Sequence, residues 1–132
     1  MEKNRIILDT SAYSGFLKGN PAVQEAVETA DEIFLNAVVL GELLAGFAIG
    51  RFEKKNIEIL RDFTSSPRVE TIPIDEETAE RYAAILKDLR SRGTPIPTND
   101  LWIAASAMQY GLKIVTTDGH FTKVTQVITD LK

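Results

Sequence analysis

The stretch Ile6-Ile7-Leu8-Asp9-Thr10-Ser11 contains the pattern that decides the fold of this 132-residue chain. Its three apolar residues are typical of a short buried strand, and the polar residues after them mark the end of that strand. Comparable apolar runs lie at residues 33–35, 69–74 and 112–116, and a weaker one lies near residues 127–128. The sequence therefore predicts four strands and a weak fifth.

Helical patterns separate these strands. Asn36 can cap a helix that begins near Ala37, and a further helix is expected at about residues 98–110. The clearest helix pattern covers residues 75–92, where acids occupy the first turn and Lys or Arg the last. Its expected apolar stripe consists of Ala79, Tyr82, Ala83, Leu86 and Leu89.

Strands that alternate with helices are typical of an α/β fold with helices on both faces of a parallel sheet. We expect a three-layer α/β/α architecture with a central parallel sheet of four or five strands. No repeat, low-complexity segment or linker interrupts the pattern, so residues 1–132 are expected to form a single domain. In such sheets, ligands bind beyond the carboxyl ends of the strands.

The composition excludes several kinds of site within this chain. Without cysteine there is no disulfide, no thiolate zinc site and no cysteine nucleophile. The single histidine, His120, excludes histidine zinc centres and two-histidine ribonucleases, and we expect it to be a loop residue without a catalytic task. No apolar segment reaches the roughly 20 residues that a membrane span needs, so we expect a soluble cytoplasmic protein with no membrane partner.

The net charge of −4 argues against a nucleic-acid partner, because phosphate binding normally relies on Lys and Arg. However, four of the acids are candidate metal ligands, and two divalent cations would bring the formal charge from −4 to 0. The negative charge therefore weakens the case for a nucleic-acid partner without excluding one.

Four acids are expected at one edge of the sheet. Asp9 ends the first strand and Asp118 follows the strand at residues 112–116, so both side chains emerge at the carboxyl edge of a parallel sheet. Asp100 lies in the first turn of an apolar helix, and Glu42 is the only charged residue among residues 37–50. Each acid alone has an ordinary structural explanation, as a cap, a turn residue or a solvent-facing side chain. Together they favour a metal site.

Clustered carboxylates suit Mg²⁺ or Mn²⁺, which prefer oxygen ligands and activate water for attack on phosphate. One alternative is a phosphohydrolase of the haloacid dehalogenase type with Asp9 as nucleophile, although Ser11 stands where that class needs a second acid. Another is a scaffold that binds metal or RNA with little turnover.

Four segments in order resemble the four successive motifs of PIN domains, and the compact length resembles VapC toxins of VapBC toxin–antitoxin pairs. The segments are Leu8-Asp9-Thr10-Ser11-Ala12, Gly41-Glu42-Leu43, Asn99-Asp100-Leu101-Trp102-Ile103-Ala104-Ala105 and Thr116-Thr117-Asp118-Gly119-His120-Phe121. The resemblance implies a PIN fold and an Mg²⁺- or Mn²⁺-dependent endoribonuclease that cleaves structured RNA, usually tRNA. It also implies inhibition by a cognate VapB-type antitoxin and a homodimer.

The resemblance assigns roles to individual residues. Asp9, Asp100 and Asp118 match the metal-binding aspartates, and Glu42 matches the acid that completes the catalytic site. Thr10 and Thr117 match hydroxyl positions that hydrogen-bond carboxylates or phosphate.

Other assignments stay open. Asn99 either orients Asp100, contacts RNA or caps its helix. Arg51, Lys54 and Lys55 form either a phosphate-binding strip or a solvated helix face. The apolar excess at residues 37–52 predicts a homodimer interface, and the acids are expected to attract a basic side chain of the antitoxin.

Overall fold

The computed structural model describes residues 2–132, which form one five-stranded sheet, six α helices and a short 3₁₀ helix. The strands are β1 (Arg5–Leu8), β2 (Glu32–Asn36), β3 (Val69–Ile72), β4 (Lys113–Thr116) and β5 (Thr129–Leu131). The α helices are α1 (Thr10–Leu17), α2 (Pro21–Thr29), α3 (Ala37–Ile49), α4 (Glu53–Thr64), α5 (Glu76–Arg92) and α6 (Thr98–Tyr110). The 3₁₀ helix covers Gly119–Lys123.

The sheet has the strand order β3-β2-β1-β4-β5, and all neighbouring strands are parallel. The chain runs from β1 through β2 to β3 in one direction and then returns to β4 on the other side of β1. Crossovers in parallel sheets are right-handed, so this reversal puts α5 and α6 on the face opposite the earlier helices. The predicted three-layer fold with a parallel sheet of five strands is confirmed.

The reversal of strand order creates a crevice between β1 and β4 at their carboxyl ends, where ligands of open α/β sheets bind. The register pairs Leu8 with Val115, so Asp9 and Thr116 follow side by side. Both strands are anchored in the core, since Leu8 and Val115 are fully buried. The floor of the crevice is therefore formed by the ends of two core strands.

Polar residues at three strand ends also cap the helices that follow. The Asp9 carboxylate accepts from the Ala12 N–H at 2.8 Å, and the Asn36 side chain accepts from the Val39 N–H at 2.9 Å. Asp118 likewise precedes the 3₁₀ helix. The predicted cap at Asn36 is confirmed, and capping fixes the direction of each side chain at the carboxyl edge.

Three details differ from the sequence predictions. β3 ends at Ile72 instead of residue 74, because Pro73 has no N–H to extend the ladder. β5 begins at Thr129, just after the predicted residues 127–128, and Thr129 is the first residue of this segment that pairs with β4, opposite Ile114. In α5, Ile85 is buried while the predicted stripe residues Ala79 and Ala83 are exposed, since the larger side chain covers more apolar surface against α6.

Within residues 2–132, every helix is too short or too polar to span a bilayer.

Candidate active site

Asp9 sits at the floor of the crevice with only 4% of its surface exposed. The Thr116 hydroxyl donates to its Oδ2 at 2.6 Å, and the Ser11 hydroxyl faces both carboxylate oxygens at 2.8 and 2.9 Å. Burial raises the pKa of Asp9, the hydrogen bonds from Thr116, Ala12 and Ser11 oppose that shift, and the negative charge of Asp118 adds to it. The net pKa shift is upward, so the ionised carboxylate lacks a compensating positive charge.

Thr116 also ties Asp9 to Asp118. Its hydroxyl oxygen accepts a hydrogen bond from the backbone N–H of Asp118 at 2.9 Å, and the same hydroxyl donates a hydrogen bond to Asp9. The backbone N–H of Thr117 donates to Ser11 Oγ at 3.1 Å. These bonds hold the loop after β4 against the start of α1 and set the distance between the two aspartates.

Asp100 and Asp118 come together around the ring of His120. The His120 Nδ1 atom lies 3.1 Å from Asp100 Oδ2 and 3.0 Å from Asp118 Oδ1. Burial raises the pKa of Asp100, the His120 contact opposes this, and the charges of Asp118 and Asp9 raise it further. In residues 2–132, Asp100, Asp118 and His120 are the one group of three such side chains whose ligand atoms all lie within 4.8 Å of one another.

Glu42 reaches the same edge from the second turn of α3. Its Oε1 accepts from the Thr10 hydroxyl at 2.7 Å, and its Oε2 accepts from the Asn99 amide at 3.2 Å. The carboxylate therefore bridges α1 and α6 and does not extend freely into solvent.

The four acids line one open cleft of about 300 Å³, together with Thr10, Ser11, Ser14 and Ile103. Glu42, Asp100 and Asp118 also line an adjoining cleft beside Asn99 and His120. Four separate segments of the chain thus converge at the carboxyl edge where the topology predicts a ligand site.

Several supporting residues have contacts that the sequence did not predict. Asn99 does not cap its helix, because Pro97 occupies the cap position, and its side chain contacts Glu42 instead. The hydroxyl that reaches Asp9 belongs to Thr116, whereas the exposed side chain of Thr117 makes no hydrogen bond within residues 2–132. The contact between Thr10 and Glu42 agrees with the predicted hydroxyl role.

Arg51, Lys54 and Lys55 are exposed at the end of α3 and the start of α4, and none of them lines the two acidic clefts. A phosphate-binding role for these three residues stays a prediction.

Sequence reasoning missed Ser11, Thr116 and His120 as members of the site. The sequence pattern assigns Ser11 no contact with Asp9, and Thr116 becomes recognisable as its neighbour only from the pairing of β4 with β1. His120 follows Asp118 by two residues, a spacing that lets one loop present both side chains, but the ring position depends on the 3₁₀ helix.

The sequence pattern described as the PIN domain matches residues 6–127, a segment that includes all four acids. The chain belongs to the PIN-domain family. This PIN domain is 29% identical to Ribonuclease VapC4 of Mycobacterium tuberculosis, with 96% of each chain covered. It is 31% identical to Toxin FitB of Neisseria gonorrhoeae, covering 86% of this chain and 87% of the relative.

The fold of this PIN domain also matches a solved structure. In VapBC2 from Rickettsia felis bound to a promoter DNA fragment, a chain superposes with a TM-score of 0.86, 23% identity, and coverage of 96% of this chain and 98% of that one. At that identity the likeness establishes the fold alone, and it agrees with the predicted PIN architecture.

Proposed function

We propose that this PIN domain is an Mg²⁺- or Mn²⁺-dependent endoribonuclease with Asp9, Glu42, Asp100 and Asp118 as its catalytic acids. The observation that carries the proposal is the convergence of these carboxylates in one cleft at the carboxyl edge of the sheet. The naming of the relative VapC4 as a ribonuclease supports the same reaction class.

The donor set suits a hard divalent cation. Asp9, Asp100 and Asp118 offer carboxylate oxygens. Burial, and to a smaller extent the neighbouring acids, raise the pKa of Asp9 and of Asp100, so the ionised forms of both would be stabilised by a bound cation. Such a cation also polarises the scissile phosphate and makes water a stronger nucleophile. We assign the metal to these three aspartates.

In the proposed hydrolysis, a bond forms between a water oxygen and phosphorus, and a phosphorus–oxygen bond of the RNA backbone breaks. One proton passes from the water to the leaving oxygen. Glu42, whose oxygens are oriented by Thr10 and Asn99, is the carboxylate we assign to accept and pass on that proton. Asp9 is oriented by Ser11 and Thr116.

We further propose that the chain is the toxin of a type II toxin–antitoxin pair that acts in the cytoplasm on structured RNA such as tRNA. The name of the relative Toxin FitB supports a toxin role. The proposed partner is a VapB-type antitoxin that inserts an Arg among the acids, because bidentate hydrogen bonds to carboxylates neutralise the clustered charge. Arg51, Lys54 and Lys55 remain candidates for contacts with RNA phosphates.

A homodimer is proposed from the exposed apolar surface at the end of α3. Leu44, Ile49 and Phe52 have 43%, 90% and 65% of their surfaces exposed. Several exposed apolar side chains within nine residues of a small protein favour an interaction surface, and a second copy would cover them.

The alternative of a haloacid dehalogenase-type phosphohydrolase is not favoured. The chain belongs to the PIN-domain family and not to the haloacid dehalogenase class. In addition, Ser11, which hydrogen-bonds Asp9, occupies the position where that class needs a second acid.

The test is incubation of antitoxin-free protein with total RNA and Mg²⁺ or Mn²⁺, followed by mapping of new RNA ends. We expect discrete new RNA ends with the wild type, and we expect none of them when a chelator is added or when Asp118→Asn replaces the wild type. A matched control is Asp62→Asn, which removes an exposed aspartate on α4 and leaves cleavage unchanged. RNA and metal binding without any new ends would instead identify the scaffold alternative.

A further inference from the structure

His120 is held against the acidic cluster by its own backbone. Asp118 caps the 3₁₀ helix by accepting the His120 N–H at 2.9 Å, and this hydrogen bond directs the imidazole back toward the acid. The His120 side chain is 44% exposed, so the imidazole lies at the rim of the cleft and not in the core.

The distances around His120 also suit metal ligation. One Nδ1–H can point well at only one acceptor, yet Nδ1 lies 3.1 Å from Asp100 Oδ2 and 3.0 Å from Asp118 Oδ1. Two ligand atoms at right angles around a cation with bonds of about 2.1 Å are separated by about 3.0 Å. The separations of Nδ1 from both oxygens are therefore those that neighbouring ligands of one cation would have.

We propose that His120 Nδ1 is a direct ligand, beside Asp100 and Asp118, of the divalent cation bound by this protein, and that it favours Mn²⁺ over Mg²⁺. Imidazole nitrogen suits transition metals, which follow a rising order of affinity from Mn²⁺ onward, whereas Mg²⁺ prefers oxygen ligands throughout. The inference rests on the proposed function, because it concerns the same metal site. It adds a nitrogen donor to a site that the sequence predicts as purely carboxylate.

The presence of one histidine in the whole sequence makes a direct test available. Protein free of any affinity tag, labelled with ¹⁵N in histidine alone, is loaded with Mn²⁺ and studied by pulsed electron paramagnetic resonance. Any hyperfine coupling from a labelled imidazole then comes from His120. We expect that coupling in the wild type, and its absence at saturating Mn²⁺ overturns the proposal even if the protein is an active nuclease.

Calorimetric titration measures the metal preference. His120→Asn replaces the nitrogen ligand with an amide, and we expect Mn²⁺ affinity to fall about tenfold or more while Mg²⁺ affinity changes much less. Thr125→Ala, an exposed change near the same loop, is expected to bind both metals as the wild type does. Equal losses for both metals, or no loss for either, overturn the proposed preference.

The two proposals fail in different ways. A wild-type chain that binds neither Mn²⁺ nor Mg²⁺ removes the metal-dependent nuclease and the ligand role together. A wild type whose Mn²⁺ binding is lost in Asp100→Asn, but which shows no imidazole coupling, keeps the metal site and removes only His120 from it.

Discussion

The Asp9 carboxylate and the Thr116 hydroxyl lie 2.6 Å apart although 107 positions separate them in the sequence. They meet because β1 and β4 are parallel neighbours with Leu8 opposite Val115, so the next residue of each strand emerges at the same edge. The hydrogen bond is buried, where it is stronger than in water, and it fixes the carboxylate orientation. The deepest acid of the site is thus positioned by the sheet itself.

Asp9→Asn is expected to reduce RNA cleavage by roughly a hundredfold or more. Each loss of about 1.4 kcal/mol in transition-state stabilisation lowers the rate tenfold, and removal of a metal ligand should cost a few kcal/mol. The metal-free variant should melt at the same or a higher temperature, since the neutral amide relieves the cost of a buried charge and Asn also caps helices well. Cleavage assays and thermal melts check both. If Asp9 instead serves only to accept the hydrogen bonds from Thr116 and Ser11, the variant will be less stable, because its amide group cannot accept both, and it will cut RNA almost normally.

The stability of the metal-free protein should depend on pH through Asp100. Burial raises the pKa of Asp100 above its ordinary value of 3.8. Between pH 3.8 and the raised pKa, the folded protein therefore keeps a proton on Asp100 that the unfolded chain has lost. The free energy of unfolding contributed by this group therefore falls as pH rises from 3.8 through the raised pKa. Asp100→Asn should match the wild type at low pH and become the more stable protein as pH rises through that window, as measured by urea unfolding.

Asp75→Asn supplies a control with the opposite sign. The Thr78 N–H, Gln109 and the Thr78 hydroxyl lower the pKa of Asp75 by hydrogen bonding. Its ionised form therefore stabilises the fold above pH 3.8, and this contribution disappears as pH falls through the lowered pKa. The variant should be less stable than the wild type at neutral pH and match it in acid, and equal pH profiles for both variants would contradict the assignment.

Thr10→Val should reduce cleavage by about tenfold, because Glu42 loses the donor that orients its Oε1. The loss should stay below the roughly hundredfold or more that a whole acid–base group contributes, since the Glu42 carboxylate itself remains. Mn²⁺ affinity should change little, since Thr10 contacts none of the proposed metal ligands. The comparison variant is Thr117→Val, whose exposed side chain makes no hydrogen bond within residues 2–132. Normal cleavage by Thr117→Val assigns the hydroxyl role after β4 to Thr116, whereas a strong defect assigns Thr117 a contact with RNA.

Ile49→Lys should convert a dimer into a monomer at micromolar concentration, because it places a charge in the apolar surface at the end of α3. Light scattering measures the mass, and circular dichroism shows whether the fold is retained. Ile128→Lys changes a residue that is 71% exposed elsewhere on the protein and should leave the dimer intact. A monomeric wild type would remove the dimer proposal.

The sequence alone determined the fold class and the positions of the four acids. Short apolar runs and helix signals are local patterns, and the observed helix 98–110 and the cap at Asn36 follow the predictions closely. Once the sheet is parallel, Asp9 and Asp118 must emerge at the same edge, because each ends or follows a strand that points in the same direction.

Only the tertiary structure decided which side chains support those acids. The register between β1 and β4 brings Thr116 to Asp9, and the 3₁₀ helix turns His120 toward Asp100. Likewise, α5 buries Ile85 and leaves Ala83 exposed. These outcomes depend on distances between segments far apart in the chain, and local periodicity carries no information about such distances because strand register and helix rotation are set by packing of the whole core.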